Sequence, residues 1–328
     1  MVTAMQFSLN NNWIELAPDT RAAVERMGPF AQHALFLMCC QQAMQVAGGN
    51  PPDAENPLVT KGFSLERNLI DTQDIAELRA MIDAHADGPA RGFTPTSQDP
   101  GFNIAWRDQD KGRAAEILHK AFSGAVASTI QGFLGSNFLI RSVTGGRLFP
   151  SEQQTISYQW HRDGEVPHQI HVILYLTDVS GERGSTEVIP LEDTIAIAQA
   201  GYDFPPVEGR KSDLSAEFSE AGRPFAPYHV EAKAGDALVF TPTRVLHRGV
   251  QPVNGARDAL IAVILPSPLP WDKFLGRNVQ NMFREAHSLN IASDPFAGYD
   301  PRWQVDRMPH WVKEFKLAPP DWGAGATL

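Results

Sequence analysis

Cysteine is nearly absent from this chain of 328 residues: there are two, Cys39 and Cys40, adjacent to each other. No disulfide framework can be built from them, and a bridge between neighbours is strained. They are expected as buried thiols of a reducing compartment, which makes the cytoplasm the expected location. Basic charge is scarce as well: 28 Lys and Arg stand against 38 Asp and Glu, for a net charge of −10. A broad cationic surface for phosphate backbones or anionic lipid is therefore not expected, and neither nucleic acid nor membrane is an expected partner. No apolar run approaches the length of a membrane span. The start, "MVTAMQFSLNNNWIE", lacks the basic-then-apolar layout of a signal peptide. Internal repeats and low-complexity tracts are missing too.

What is present describes a globular protein with a sizeable core: 43% hydrophobic residues and 20% charged ones. Length alone leaves one or two domains open. Helical spacing runs over residues 20–47 and should break at Gly28-Pro29. A turn-rich loop, "GGNPPDAENP", follows, then a short strand in "GFSLE", a helix opening at Asp71 or Thr72, and one further helix in "GRAAEILHKAFSGAVASTIQGFL". From about residue 137 the pattern changes to strands: "NFLIRSVT", "TISYQW", "HQIHVILYLTDV", "STEVIP", "DALVFTP" and "ALIAVILP". Helices grouped ahead of short strands predict an α+β chain with a mainly β core, a sandwich or a barrel.

Candidate chemistry is concentrated in "SYQWHRDGEVPHQIHVILYLTDV". In an extended chain, positions i and i+2 share a face, so His161 and Asp163 can aim a ring nitrogen and a carboxylate at one point. A third ligand is available in "LVFTPTRVLHRGV", where His247 ends a strand-like segment. Two His and one carboxylate on one face of an ion leave the other face open, as non-haem Fe(II) oxygenases require. Arg257 opens the last apolar strand ten residues later. Two further histidines, His168 and His171, stand close to the pair and would allow a zinc reading. Alternation within the strand turns His171 away from the face of Ile170 and Val172, and both are read as structural or substrate-facing. His33, His85 and His119 lie in helical patterns and are read as structural.

His161-x-Asp163, His247 and Arg257, with the flanks "YQWHRDGE" and "VILYLTDVSGERGSTEVIP", resemble the signature of the Fe(II)/2-oxoglutarate-dependent dioxygenases, and the phytanoyl-CoA dioxygenase branch in particular. The resemblance implies a double-stranded β-helix of the jelly-roll or cupin-like kind with flanking helices. Its cofactors would be Fe(II), the cosubstrate 2-oxoglutarate and O2, and its partner a small-molecule substrate. The core would span residues 61–266, with a helical extension at 1–60 and a C-terminal extension at 267–328 packed on it as one structural domain. The resemblance assigns His161, Asp163 and His247 to the metal and Arg257 to the distal carboxylate of 2-oxoglutarate, with Gln159 and Thr186 as further contacts. Arg141, Arg147, Arg244 and His168 are candidates for holding the substrate. Where many relatives continue after Ile-Pro with Gly-Ser-His, this chain reads "IPLEDT", which bears on substrate class and not on the metal ligands.

The implied reaction is hydroxylation, or desaturation or ring formation with the same ligands, coupled to conversion of 2-oxoglutarate to succinate and carbon dioxide. Retention of Asp163 disfavours halogenation. The rival is a cupin-like isomerase, lyase or metal-binding protein on the same barrel, from which Arg257 is the discriminating residue. For Arg257 to face inward with His247, "VQPVNGARDAL" is expected to turn through a three-residue loop at Val253, Asn254 and Gly255, setting His247 opposite residue 261.

Overall fold

The computed structural model describes residues 5–8, 15–16, 26, 29–87, 101–151, 156–163, 168–268, 270–274, 282–283 and 316–317. Near the N-terminus lie the short strands β1 (Met5–Ser8) and β2 (Glu15–Leu16) and the helix α1 (Pro29–Val46). Its start at Pro29 fits the preference of proline for a first helical turn, where no amide donor is needed. The short α2 (Pro57–Thr60) is capped by Asn56, whose side chain accepts from the Leu58 amide and donates to the Thr129 carbonyl at 2.9 Å. Strand β3 (Phe63–Glu66) leads to α3 (Thr72–Ala86), which opens where expected, with the Asp71 carboxylate accepting from the amides of Gln73 and Asp74. After β4 (Gly101–Asn103) come two helices where one was expected, α4 (Asp108–Ala121) and α5 (Ala125–Leu134). They part at Gly124, whose φ of 61° is left-handed.

The strands that follow are β5 (Asn137–Leu148), β6 (Ile170–Tyr175) and β7 (Thr186–Val188). Helices α6 (Leu191–Gln199) and α7 (Ser215–Glu220) are inserted next, and neither was expected from the sequence. Then come β8 (Tyr228–His229), β9 (Ala237–Phe240), β10 (His247–Gly249), β11 (Arg257–Ser267) and β12 (Lys316–Leu317). "TISYQW" does not form the expected strand: Ile156–Tyr158 is a 3-10 turn, and regular pairing resumes only at His161.

A six-stranded antiparallel sheet, in the order β3-β9-β6-β11-β5-β4, faces a three-stranded sheet ordered β10-β7-β8, and β12-β1-β2 forms a small separate sheet. From β6 to β11 the chain crosses repeatedly between the two facing sheets, which is the double-stranded β-helix. Parity then assigns each side chain. Ile170, Val172 and Leu174 of β6, with Val239, Leu260, Ala262 and Ile264, pack against Leu78, Ile82, Ile117, Leu118, Val126 and Ile130 of the helices. The alternate residues Ile173, Tyr175, Leu238, Phe240 and Ala259 meet Val188, Val230 and Val245 inside the barrel. Helix α1 packs on β11 and β5 and buries Cys39 and Cys40 completely as free thiols, each pushed up in pKa by burial. Among the described residues no helix is long and apolar enough to cross a membrane.

The expected hairpin between β10 and β11 does not exist. β10 pairs with β7, setting His247 opposite Val188, while β11 pairs with β5 and β6. A local turn pattern cannot register a change of sheet. Gly255 does take the left-handed conformation, φ 74°, but the loop it serves crosses the barrel, with the Val253 and Asn254 amides donating to the Glu182 carbonyl.

Candidate metal and cosubstrate site

His161 and His247 lie side by side in an antiparallel bridge. Each amide donates to the other's carbonyl, at 3.1 Å from His161 and 2.9 Å from His247. The Asp163 amide donates to the Pro242 carbonyl at 3.0 Å, which holds the chain extended through the HxD pair. Extended backbone is what places His161 and Asp163 on one face. The Nε2 atoms of His161 and His247 lie 3.7 and 3.9 Å from Asp163 Oδ1, and one ligand atom from each of the three residues falls within 4.8 Å of the others.

The donors are already prepared. His161 Nδ1 bonds the Gln159 carbonyl at 2.7 Å, and His247 Nδ1 bonds the Val245 carbonyl at 3.2 Å. A carbonyl only accepts, so each Nδ1 carries the proton and each Nε2 presents a lone pair toward the carboxylate. Burial is the main cause that keeps both rings neutral. It lowers the His161 pKa, and it takes His247 down to about 3, with the neighbouring His161 next in effect. The positive charge of Arg210 pushes both in the same direction. Two neutral imidazoles and one carboxylate suit a divalent first-row ion. Bonds of about 2.1 Å would set three such donors about 3 Å apart, so small side-chain rotations close the set.

His171 belongs to this neighbourhood. Alternation does turn it from the face of Ile170 and Val172, but that face packs on the helices, so His171 shares the barrel interior with Ile173 and Tyr175. Its Nδ1 stands 3.8 Å from Asp163 Oδ2, and its Nε2 accepts from the Gln169 amide group at 2.7 Å. Burial takes its pKa down to about 4. His171 is thus placed to orient the carboxylate. Phe240 contacts the rings of both His171 and His247, at centroid distances of 5.6 and 5.0 Å, so an apolar ring borders the site.

Arg257 shares interior parity with Ala259. Its Nη1 donates to the Gly184 carbonyl at 2.9 Å, and its buried Nε has no hydrogen-bond partner among the described residues. Beside it the buried Tyr175 hydroxyl donates to Thr186 Oγ1 at 3.1 Å. Burial raises the Tyr175 pKa, opposed by the Thr186 bond and by the Arg257 charge. Arg257, Thr186 and Tyr175 therefore meet inside the barrel, and Tyr175 could have been found from its parity with His171. Gln159 is present at the metal site through its carbonyl, in a bend and not in the expected strand.

The substrate candidates separate. Arg147 is not turned to the site: its Nε and Nη2 bond Asp258 at 2.7 Å each, and Nη2 meets Asp83 at 2.8 Å, on the helix-covered face. Its partners are structural carboxylates, and this corrects the expectation of a substrate contact. Arg141 is the extra, unpaired residue of a β-bulge between β5 and β11, next to Ser142, which is the β5 member of the cross-strand row through Val263, His171 and Phe240. Arg244 donates to the Leu58 carbonyl at 2.9 Å and lies over the Phe133 ring at 5.5 Å. His168 sits near Arg244 and His33, and burial followed by these two takes its pKa down to about 4. Arg210, in the insertion between β7 and β8, was passed over. Nothing in the periodicity of residues 200–211 singles it out.

No protein-family model matches the chain, and no curated protein matches it. Solved structures do. The chain is similar to the non-heme alpha ketoglutarate dependent carbocyclase SnoK from nogalamycin biosynthesis, at 16% identity over 70% of this chain and 94% of that one, with a TM-score of 0.46. It is similar to the epimerase SnoN from the same biosynthesis, at 15% identity over 75% and 84%, TM-score 0.45. It is also similar to HygX from Streptomyces hygroscopicus, crystallised with nickel and 2-oxoglutarate, at 14% identity over 65% and 86%, TM-score 0.41.

Proposed function

We propose that this protein is a non-haem Fe(II)/2-oxoglutarate-dependent oxygenase acting on a small molecule. The observation that carries the reading is the convergence of the His161, Asp163 and His247 ligand atoms within 4.8 Å of one another. His161 and His247 would each give an Nε2 lone pair and Asp163 one carboxylate oxygen. Arg257 would hold the distal carboxylate of 2-oxoglutarate, because its planar fork matches two oxygens at once. Tyr175 and Thr186 would complete that end, and the apolar barrel wall would keep water from the reacting centre. When bound, iron with 2-oxoglutarate supplies the oxidising power: O2 is consumed, 2-oxoglutarate becomes succinate and carbon dioxide, and a substrate C–H bond is hydroxylated.

In this reading residues 61–266 form the oxygenase core, with 1–60 and 267–328 as extensions. The phytanoyl-CoA dioxygenase-like character of the motifs "YQWHRDGE" and "LTDV" is part of the same proposal. The test is succinate release from 2-oxoglutarate with Fe(II) and O2, assayed over a panel of small molecules. Stimulated succinate release that is lost in Asp163→Ala supports the reading, and release unaffected by that substitution overturns it.

A further inference from the structure

The two oxygens of Asp163 face different partners. Oδ1 lies 3.7 and 3.9 Å from the Nε2 atoms of His161 and His247, whereas Oδ2 lies 3.8 Å from Nδ1 of His171. His171 itself stands outside the convergent ligand group. A carboxylate divided in this way has one oxygen for an ion and the other turned to a neighbouring side chain.

What His171 offers Oδ2 depends on which ring nitrogen carries the proton. Gln169, just before β6, is two residues from His171 and shares its face. It is fully buried, and its Nε2 donates to Nε2 of His171 at 2.7 Å, while its Oε1 has no hydrogen-bond partner among the described residues. An amide placed the other way would put the ring proton on Nε2 and turn the Nδ1 lone pair toward the anionic Oδ2. That repulsion becomes an attraction when the proton sits on Nδ1, so the carboxylate and the Gln169 amide select the same tautomer. Phe240 stands edge-on to the His171 ring, with planes at 85°, and braces it in this orientation. At 3.8 Å the contact is longer than a hydrogen bond, and about 1 Å of side-chain movement closes it.

We propose that His171 is a positioning residue for the metal: its Nδ1–H takes Oδ2 of Asp163, so that the carboxylate meets the ion through Oδ1 alone, and Gln169 sets the tautomer that makes this possible. The inference rests on the oxygenase reading and deepens its metal site. A carboxylate bound through one oxygen uses one coordination position. Bound through both it would use two, and one fewer would stay open for cosubstrate and O2.

The test is Fe(II) affinity, measured anaerobically on the full chain in a series of His171 variants. Asparagine can carry an amide nitrogen where Nδ1 stands and glutamine one where Nε2 stands, so the series separates the two ring atoms. Affinity should fall about tenfold or more in His171→Leu and His171→Gln, as for other lost contacts behind a metal ligand, and stay near wild type in His171→Asn. Gln169→Leu should weaken Fe(II) binding less, and should add nothing to His171→Leu, because Gln169 acts through His171. Urea midpoints report folding, and His171→Gln carries the comparison where His171→Leu does not fold. With Cu(II), which suits the same donors, pulsed electron paramagnetic resonance should count two coordinated imidazoles in the wild type and in His171→Leu alike. A third imidazole that disappears with His171 makes it a ligand and overturns the proposal. So does an Fe(II) affinity that His171→Leu and His171→Gln leave unchanged, or one that His171→Asn loses as fully as His171→Leu. Those outcomes leave the oxygenase reading standing, whereas a wild-type chain that binds no Fe(II) overturns both.

Discussion

Arg257 and Asp258 are neighbours on β11 and face opposite sides of one sheet. Asp258 is buried, 1% exposed, and its carboxylate is fully engaged by Arg147 at 2.7 Å and Arg79 at 3.2 Å. Arg257 faces the barrel with one bond to a backbone carbonyl and a buried Nε unpartnered among the described residues. On the helix-covered side the charges close upon each other and serve the fold. On the interior side they stop short of closure, and that incompleteness is what a ligand would satisfy.

The sharpest way to break this contrast is on the interior. Asp163→Ala removes the anionic ligand, and metal binding measured by elemental analysis after dialysis should be lost, with activity following. The complementary change is Asp258→Ala, which strands Arg147 with one remaining carboxylate. Urea denaturation should report a loss of about 3 kcal/mol or more, in the range for breaking a buried pair, while the protein that remains folded keeps its metal affinity. Arg257→Met should do the reverse, weakening 2-oxoglutarate binding by about tenfold or more with little shift in the urea midpoint.

A pH dependence is expected as well. His168 has its pKa lowered to about 4 by burial and by the nearby His33 and Arg244, against about 6.5 for an ordinary histidine. Between those values the unfolded chain binds the proton and the folded chain does not. Its contribution to stability is therefore full above about pH 6.5 and is lost as pH falls toward 4. His168→Gln should flatten the dependence of the urea midpoint on pH across that window.

Much of the metal site was legible because it depends on local geometry. An extended HxD places two ligands on one face whatever the rest of the fold does, and the apolar runs that become β6, β9 and β11 were plain in composition. What escaped depends on long-range pairing. The turn chemistry at Asn254-Gly255 suggested a hairpin, yet β10 and β11 lie in different sheets, and no local pattern encodes that. His171 was given its parity and read as structural or substrate-facing; that its face is the barrel interior, beside Asp163, emerges only from the helices packed on the other face. Arg210 escaped because it lies in the irregular stretch between α6 and α7, in an insertion joined to the barrel by long-range contacts: the Trp160–Lys211 backbone bond, the Arg248 bond to the Ser212 carbonyl and the apolar cluster of Trp160, Ile197, Leu214, Phe218 and Leu246.

The central claim is that the ligand triad and Arg257 are two ends of one cosubstrate site. It is tested most directly by measuring 2-oxoglutarate affinity anaerobically, with and without Fe(II). Fe(II) is expected to tighten binding about tenfold or more in the wild-type protein, since the metal adds a charged contact to the cosubstrate, and Asp163→Ala to erase this gain. Equal affinity with and without Fe(II) in the wild-type protein would contradict it.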